Sequence, residues 1–345
     1  MMPDRRSFLK TTSLAAGALA QTSPTPAQIP VMTSSDPGTL RSQLQSCLGG
    51  PWPEGGPLDV RVHSSESTPD FARLKVSYRL DAESNCPAYL LIPQGVTTEN
   101  PAPGIAVWHQ HNGEYPLGKS EPAGLEGNPM HHTGAALAQL GYVVLCPDAL
   151  CFEERQDPEG RLKGSQYERF EFLRSTVSGR CMAWKNILDM KRAVDLLASR
   201  PEVDSNRLGC YGHSMGSTHT WLIGPFEPRL KALVGNCCLP TYAGIHRTKI
   251  LHCFPNFIPG FYEFGDTPDI AGLIAPRALH LNLGENDSGS PIAEAREGIQ
   301  TIEKAYARAG ASDRFSAFIE PDTGHVLSPK MWQKTKDFFA RHLAS

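Results

Sequence analysis

Gly212, His213, Ser214, Met215 and Gly216 spell G-x-S-x-G between an apolar run, Leu208 to Tyr211, and a stretch able to form a helix. In that setting the pentapeptide describes a nucleophile elbow, where only small residues fit two places before and two after the serine. A serine hydroxyl is a weak nucleophile at neutral pH and needs a histidine base oriented by a carboxylate. Elbows of this kind supply their partners in the chain order serine, acid, histidine. Downstream, Leu279 to Leu283 reads as a buried strand ending in Gly284, Glu285, Asn286 and Asp287. Phe315 to Ile319 reads as a last strand, followed by Asp322, Thr323, Gly324 and His325. These positions make Asp287 the candidate acid and His325 the candidate base. Glu285 is the nearest rival acid, while Asp266 and Asp269 follow an aromatic stretch rather than end a strand. His213 and His219 lie too near Ser214 along the chain, His280 falls within a strand, and His342 falls in the final helix.

Acyl transfer also needs N–H donors for a tetrahedral oxyanion. One is expected from the Met215 backbone and a second from the loop Trp108 to Gly113, where His111 is preferred and Gln110 stands next to it. His109, His111, His131 and His132 also raise a metal reading, but they offer no helical i, i+4 pair or closed ligand set, so no metal or other cofactor is expected.

These groups need a scaffold. From Gly104 onward, short apolar runs alternate with stretches of helical period, the pattern of βαβ units and a mostly parallel sheet. The runs are Ile105 to Trp108, Tyr142 to Cys146, Leu208 to Tyr211, Ala232 to Val234, Ala278 to Leu283 and Phe315 to Ile319. Helices are expected over Thr133 to Leu140, Arg180 to Ala198, Ile292 to Ala309 and Pro329 to His342, with Asp204 and Ser205 turning the chain into the next strand. Leu74 to Leu80 and Ala88 to Ile92 read as an antiparallel edge. Leu150 to Val177 and Leu239 to Pro268 fit no simple crossover and read as long irregular connections of the kind that form binding loops or lids. The fold class is therefore an α/β-hydrolase, with helices on both faces of the sheet and lid-like insertions, over residues 38 to 345.

At 345 residues, 40% hydrophobic and 20% charged, the chain has the composition of an ordinary globular domain. A formal charge of −3 and the lack of a Lys/Arg run argue against a nucleic-acid partner. The nine cysteines are too sparse for a disulfide scaffold, and Cys146 and Cys210 read as small hydrophobes in central strands. At the N-terminus, Arg5 and Arg6 precede a short apolar run and the triplet Ala18, Leu19, Ala20. This has the layout of a twin-arginine export signal over residues 1 to 20, followed by a flexible linker over 21 to 37. The expected location is periplasmic or secreted. The apolar run is too short to span a membrane.

The segments HQHNGEYPLGKSEPAGLEG, GYVVLCPDALCFEER, RPEVDSNRLGCYGHSMG and DTPDIAGLIAPRALHLNLGEND together resemble the dienelactone-hydrolase-like bacterial esterases, near those related to acetyl xylan esterases. The resemblance spans roughly residues 70 to 340 and implies serine, aspartate and histidine roles for Ser214, Asp287 and His325. The elbow departs from the relatives, since His213 and Ser214 stand where acetyl xylan esterases have serine before the nucleophile and true dienelactone hydrolases have a cysteine nucleophile. Their substrates therefore do not transfer. In the CFEER stretch, Glu153, Glu154 and Arg155 are candidates either for the pocket wall or for a surface ion-pair network. Phe257 and Phe261 are candidates for stacking on a sugar or aryl group, or for packing of the aromatic stretch itself.

The resulting expectation is an exported serine esterase acting through an acyl-enzyme on a small-molecule or carbohydrate-linked ester. A prolyl-oligopeptidase-type serine peptidase and a non-catalytic binding protein on the same scaffold remain as alternatives. No propeller domain precedes the catalytic part, and complete triad candidates disfavour a retired site.

Overall fold

A computed structural model describes residues 36–344. The expected signal, 1 to 20, and most of the linker, 21 to 37, lie outside the described residues. The expected linker extends slightly too far, because structure begins before its end. Asp36 accepts hydrogen bonds from the Gly38 and Thr39 N–H groups and so caps helix α1, Pro37–Leu48.

Among the described residues, nine strands form one sheet in the order β1-β2-β3-β5-β4-β6-β7-β8-β9. They are β1 (Arg61–Ser67), β2 (Phe71–Arg79), β3 (Asn85–Pro93), β4 (Ala102–Trp108), β5 (Val143–Pro147), β6 (Val203–His213), β7 (Leu230–Asn236), β8 (Ala278–Gly284) and β9 (Phe315–Glu320). The pairings β1/β2, β2/β3 and β3/β5 are antiparallel, and every pairing from β5 through β4 to β9 is parallel. The mostly parallel α/β-hydrolase sheet is thus present. It has an extra edge strand, β1, that periodicity does not announce because all seven of its residues are exposed. Asp204 and Ser205 lie inside β6 rather than in a turn before it.

The remaining helices are α2 (Thr133–Gln139), α3 (Ser165–Val177), α4 (Met182–Ser199), α5 (Met215–Ile223), α6 (Tyr242–Thr248), α7 (Thr267–Gly272), α8 (Ile292–Arg308) and α9 (Pro329–His342). Every residue of α5 is buried, as expected of an apolar helix set directly on the sheet. No helix among the described residues is long and apolar enough to cross a membrane.

The stretch Leu150 to Val177 is not simply irregular, since it contains α3 over thirteen residues. Its periodicity is inverted. The buried residues of α3 are Glu168 and Glu171, while Phe170, Leu173 and Val177 are exposed. The second stretch, Leu239 to Pro268, holds α6 and the start of α7. Asp266 caps α7 in a reciprocal capping box with Asp269 and also accepts from the Tyr242 and Ala243 N–H groups at the start of α6. All nine cysteines are free, seven of them buried.

Candidate functional site

From β4 the chain moves to β5 on one side of it and then to β6 on the other. Such a switch leaves a crevice at the carboxyl ends of the strands, where open α/β sheets place their ligands. β6 delivers Ser214 there. The serine has φ 57° and ψ −117°, backbone that L-residues rarely adopt. Its neighbours explain how the turn closes: a Cβ on Gly212 would collide with the Gly216 carbonyl, and one on Gly216 would collide with that of Trp108. Larger residues at either place would open the turn. Met215 begins α5, so its N–H has no acceptor from within the helix and faces the bend.

β8 ends at Gly284, and Asp287 follows in the next turn with its side chain wholly buried. One carboxylate oxygen accepts from His325 Nδ1–H at 2.8 Å and the other from the Gly289 N–H at 2.8 Å. His325 sits between β9 and α9, and the hydrogen bond at Nδ1 leaves Nε2 free. Ser214, Asp287 and His325 line one cleft of about 520 Å³. The rivals have other partners: Glu285 pairs with Arg296 at 3.0 Å, and Asp266 and Asp269 cap α7.

His111 also lines this cleft, at a tight turn in which Asn112 and Gly113 both have positive φ, 44° and 70°, and the Glu114 N–H reaches the His111 carbonyl at 3.0 Å. Asn-Gly suits such a turn, because both residues tolerate the left-handed region. The His111 N–H takes no acceptor among the described residues. Gln110 is turned away, donating to the Glu121 carboxylate at 2.9 Å.

The other pocket candidates are placed elsewhere. Glu153 and Glu154 converge with Asp148 on Lys119 Nζ, whose side chain is 0% exposed, and Arg155 pairs with Asp189 at 2.8 Å. A fully buried ammonium must be paired, which accounts for the run of acids around it. Of the two alternatives at CFEER, this is an ion-pair network, centred on a buried lysine and reaching the surface at Glu154, which also pairs with Lys75. Phe261 is wholly buried, and Phe257 packs against the same core. The aromatic stretch contributes to the cleft instead through Ile250, Leu251, His252, Cys253 and Phe254.

The four histidines of the metal reading do not converge. His109 donates from Nδ1 to the Gln110 carbonyl and accepts the Ala149 N–H at Nε2, and His132 Nε2 meets the Glu126 carbonyl. Among the described residues, two groups bring three possible ligands together: Asp148, Glu153 and Glu154, already around Lys119, and Cys237, Asp287 and His325.

Sequence reasoning does not single out Glu168, Tyr115 or His252, all of which line the cleft. Glu168 accepts from His111 and from Tyr115. His252 donates from Nε2 to the Gly289 carbonyl at 3.1 Å and accepts at Nδ1 from the Cys253 N–H and Asn256 Nδ2. Burial pushes the His252 ring down to about 4, so it is neutral at ordinary pH. His213, set aside as a base, packs its ring 5.1 Å from that of His325 and meets Asn236 Nδ2 at 2.7 Å. Burial holds His213 well below the usual histidine range.

The profile of the dienelactone hydrolase family matches residues 87–241. YtaP of Bacillus subtilis (strain 168), named as a hydrolase, is 30% identical over 295 residues, covering 83% of this chain and 92% of YtaP. Among solved structures, a glucuronoyl esterase from Solibacter usitatus superposes with a TM-score of 0.65 at 16% identity, over 90% of this chain and 93% of that one. Acetyl xylan esterase 1 from Thermoanaerobacterium sp. JW/SL YS485 gives a TM-score of 0.62 at 14% identity, over 91% and 95%. At such identities these two share the fold. The extended match to YtaP goes further, and the chain belongs to the dienelactone hydrolase family of hydrolases.

Proposed function

We propose that this protein is a serine esterase. The observation that carries the reading is the Asp287–His325 hydrogen bond of 2.8 Å in the same cleft as a serine held on a positive-φ elbow. His325 Nε2 takes the proton of Ser214 Oγ as that oxygen attacks the ester carbonyl. The oxyanion then accepts from the N–H groups of Met215 and His111, which are preorganised where charge develops. Collapse releases the alcohol with the proton from His325, and a water attacks the acyl-enzyme by the same route. No lysine or arginine lines the cleft among the described residues, whereas Glu168 and Asp287 do. An anionic substrate would meet no counter-charge there, so the reading favours esters whose acyl and alcohol parts are uncharged, acetylated sugars among them.

A panel of nitrophenyl esters and acetylated sugars tests this alongside fluorophosphonate labelling. Wild type is expected to cleave and to label, and Ser214→Ala to do neither while remaining folded. Substantial ester cleavage by a pure Ser214→Ala preparation would sink the assignment. Export is proposed on Arg5, Arg6 and the Ala18-Leu19-Ala20 triplet, and N-terminal sequencing from the native host should find a mature chain starting near Gln21.

A further inference from the structure

We infer that Glu168 is a positioning residue for the oxyanion hole, tying helix α3 to the turn that carries the second donor. The inference rests on the esterase reading. Glu168 has a side chain only 3% exposed, on a helix whose other buried residue is also a glutamate. Its Oε2 accepts two hydrogen bonds, from His111 Nε2–H at 3.0 Å and from the Tyr115 hydroxyl at 2.6 Å. The far side of the His111 ring is occupied too, because Nδ1 accepts the Gly113 N–H at 2.9 Å. One imidazole therefore bridges the carboxylate and the backbone of its own turn.

That turn needs support. Asn112 and Gly113 both lie at positive φ, and the segment connects a rigid strand to a loop on the cleft wall. Aromatic packing supplies one restraint: the Tyr115 ring stacks on Phe152 at 5.0 Å, and the His111 ring meets both edge-on at the same separation. Ring contacts alone leave the His111 ring free to slide in its plane, whereas hydrogen bonds at both nitrogens fix its rotation. Because one of those bonds comes from the Gly113 N–H, the ring ties the backbone of the turn, from which the His111 N–H projects, to Glu168 on α3. Both donors fall on Oε2, while the buried Oε1 has no partner among the described residues, so the bonds from His111 and Tyr115 are what hold this carboxylate in place.

The alternative role for a carboxylate at this place is direct contact with substrate. The two roles separate kinetically. Donor misplacement weakens the transition state alone and lowers kcat, while a lost substrate contact raises KM.

The test compares wild type with Glu168→Ala, Glu168→Gln and Tyr115→Phe on one nitrophenyl ester, with near-UV circular dichroism and thermal melting of each. Glu168→Ala is expected to lose about 10- to 100-fold in kcat with KM within about twofold, the scale of a misplaced rather than deleted catalytic group. Glu168→Gln keeps an oxygen that accepts from both partners and should recover much of the loss. Tyr115→Phe leaves His111 anchored and should fall least. Fluorophosphonate labelling rates, which need the same hole, should follow the order of kcat. A folded Glu168→Ala enzyme with unchanged kcat, or with a raised KM alone, overturns the inference. If Glu168→Ala does not fold, Glu168→Gln and Tyr115→Phe decide the matter, and kcat equal to wild type in both overturns it. A wild type that labels but cleaves no ester in the panel fails the substrate reading, and the labelling rates still decide the role of Glu168. A wild type that neither labels nor cleaves removes the reading on which the inference stands.

Discussion

Ser214, Asp287 and His325 leave the carboxyl ends of β6, β8 and β9, whereas Glu168 and His252 reach the same cleft from segments inserted between strands. Ladder hydrogen bonds run on both sides of β6 and β8, behind Ser214 and Asp287, and on one side of the edge strand β9, behind His325. The inserted groups act through intermediaries. Glu168 holds the His111 ring, and His252 holds the Gly289 carbonyl, whose residue's own N–H in turn donates to Asp287. On the proposed reading the triad rides on the ends of sheet strands, and the groups that brace it from outside ride on segments inserted between strands. Each insert braces one half of the chemistry, the donor side by a carboxylate and the acid side by a neutral imidazole.

If that division holds, changes on the sheet loops should far exceed changes on the inserts. His325→Ala removes the base and should lower kcat by about 10⁶-fold, the scale seen when any one reacting member of such a triad is deleted. Stopped assays on a good nitrophenyl ester check it, and a loss below about a hundredfold would break the comparison at its strong end. Asp287→Asn keeps the shape but offers His325 the wrong hydrogen-bond partner, and should cost about 10⁴-fold. Equal activity in this variant would move the acid elsewhere, with Glu285 first to be tested.

His252→Ala deletes one hydrogen bond to Gly289 and should lower kcat only about 2- to 10-fold, in line with about 0.5–1.5 kcal/mol for a neutral bond. A loss comparable to that of Asp287→Asn would erase the distinction between the regions. The smallest effect concerns acid stability. Burial pushes His109, His131, His252 and His280 down to about 4, while an unfolded chain titrates them near 6.5. The unfolded state binds more protons between those values, so the stability these rings contribute is present above about pH 6.5 and is lost as pH falls toward about 4. Denaturant midpoints should therefore drop across that window. In His252→Gln the drop should be slightly shallower, because His109 and His280, on or beside the sheet, still titrate.

The same division governs what can be read from sequence. The strands β4, β5, β7 and β8 and the second half of β6 are legible because each is a short apolar run buried on both faces of a parallel sheet, and β9 is legible by its apolar run although it is an edge strand with exposed residues. The elbow is legible because its glycines answer to contacts made around the turn itself. Asp287 and His325 follow from strand ends. Glu168 and His252 are not legible: the partner of the first is 57 residues away and that of the second 37, and no local pattern marks them. Helix α3 escapes periodicity because its inward face is acidic, and β1 escapes because both its faces are exposed. Glu153, Glu154 and Arg155 stand out by type, but Lys119, fully buried and more than thirty positions earlier, decides the role of the two glutamates.

The backbone at Ser214 has a consequence for the protein's durability. A residue with a Cβ at φ 57° and ψ −117° costs about 1–3 kcal/mol relative to relaxed backbone, and Ser214→Ala retains that Cβ. Glycine reaches the same angles without the penalty. Ser214→Gly should therefore be inactive and yet melt above Ser214→Ala, a difference that calorimetry of the two dead proteins would measure. On this view the working protein sits below the melting temperature its scaffold permits, and it gives up that margin at the residue proposed as its nucleophile.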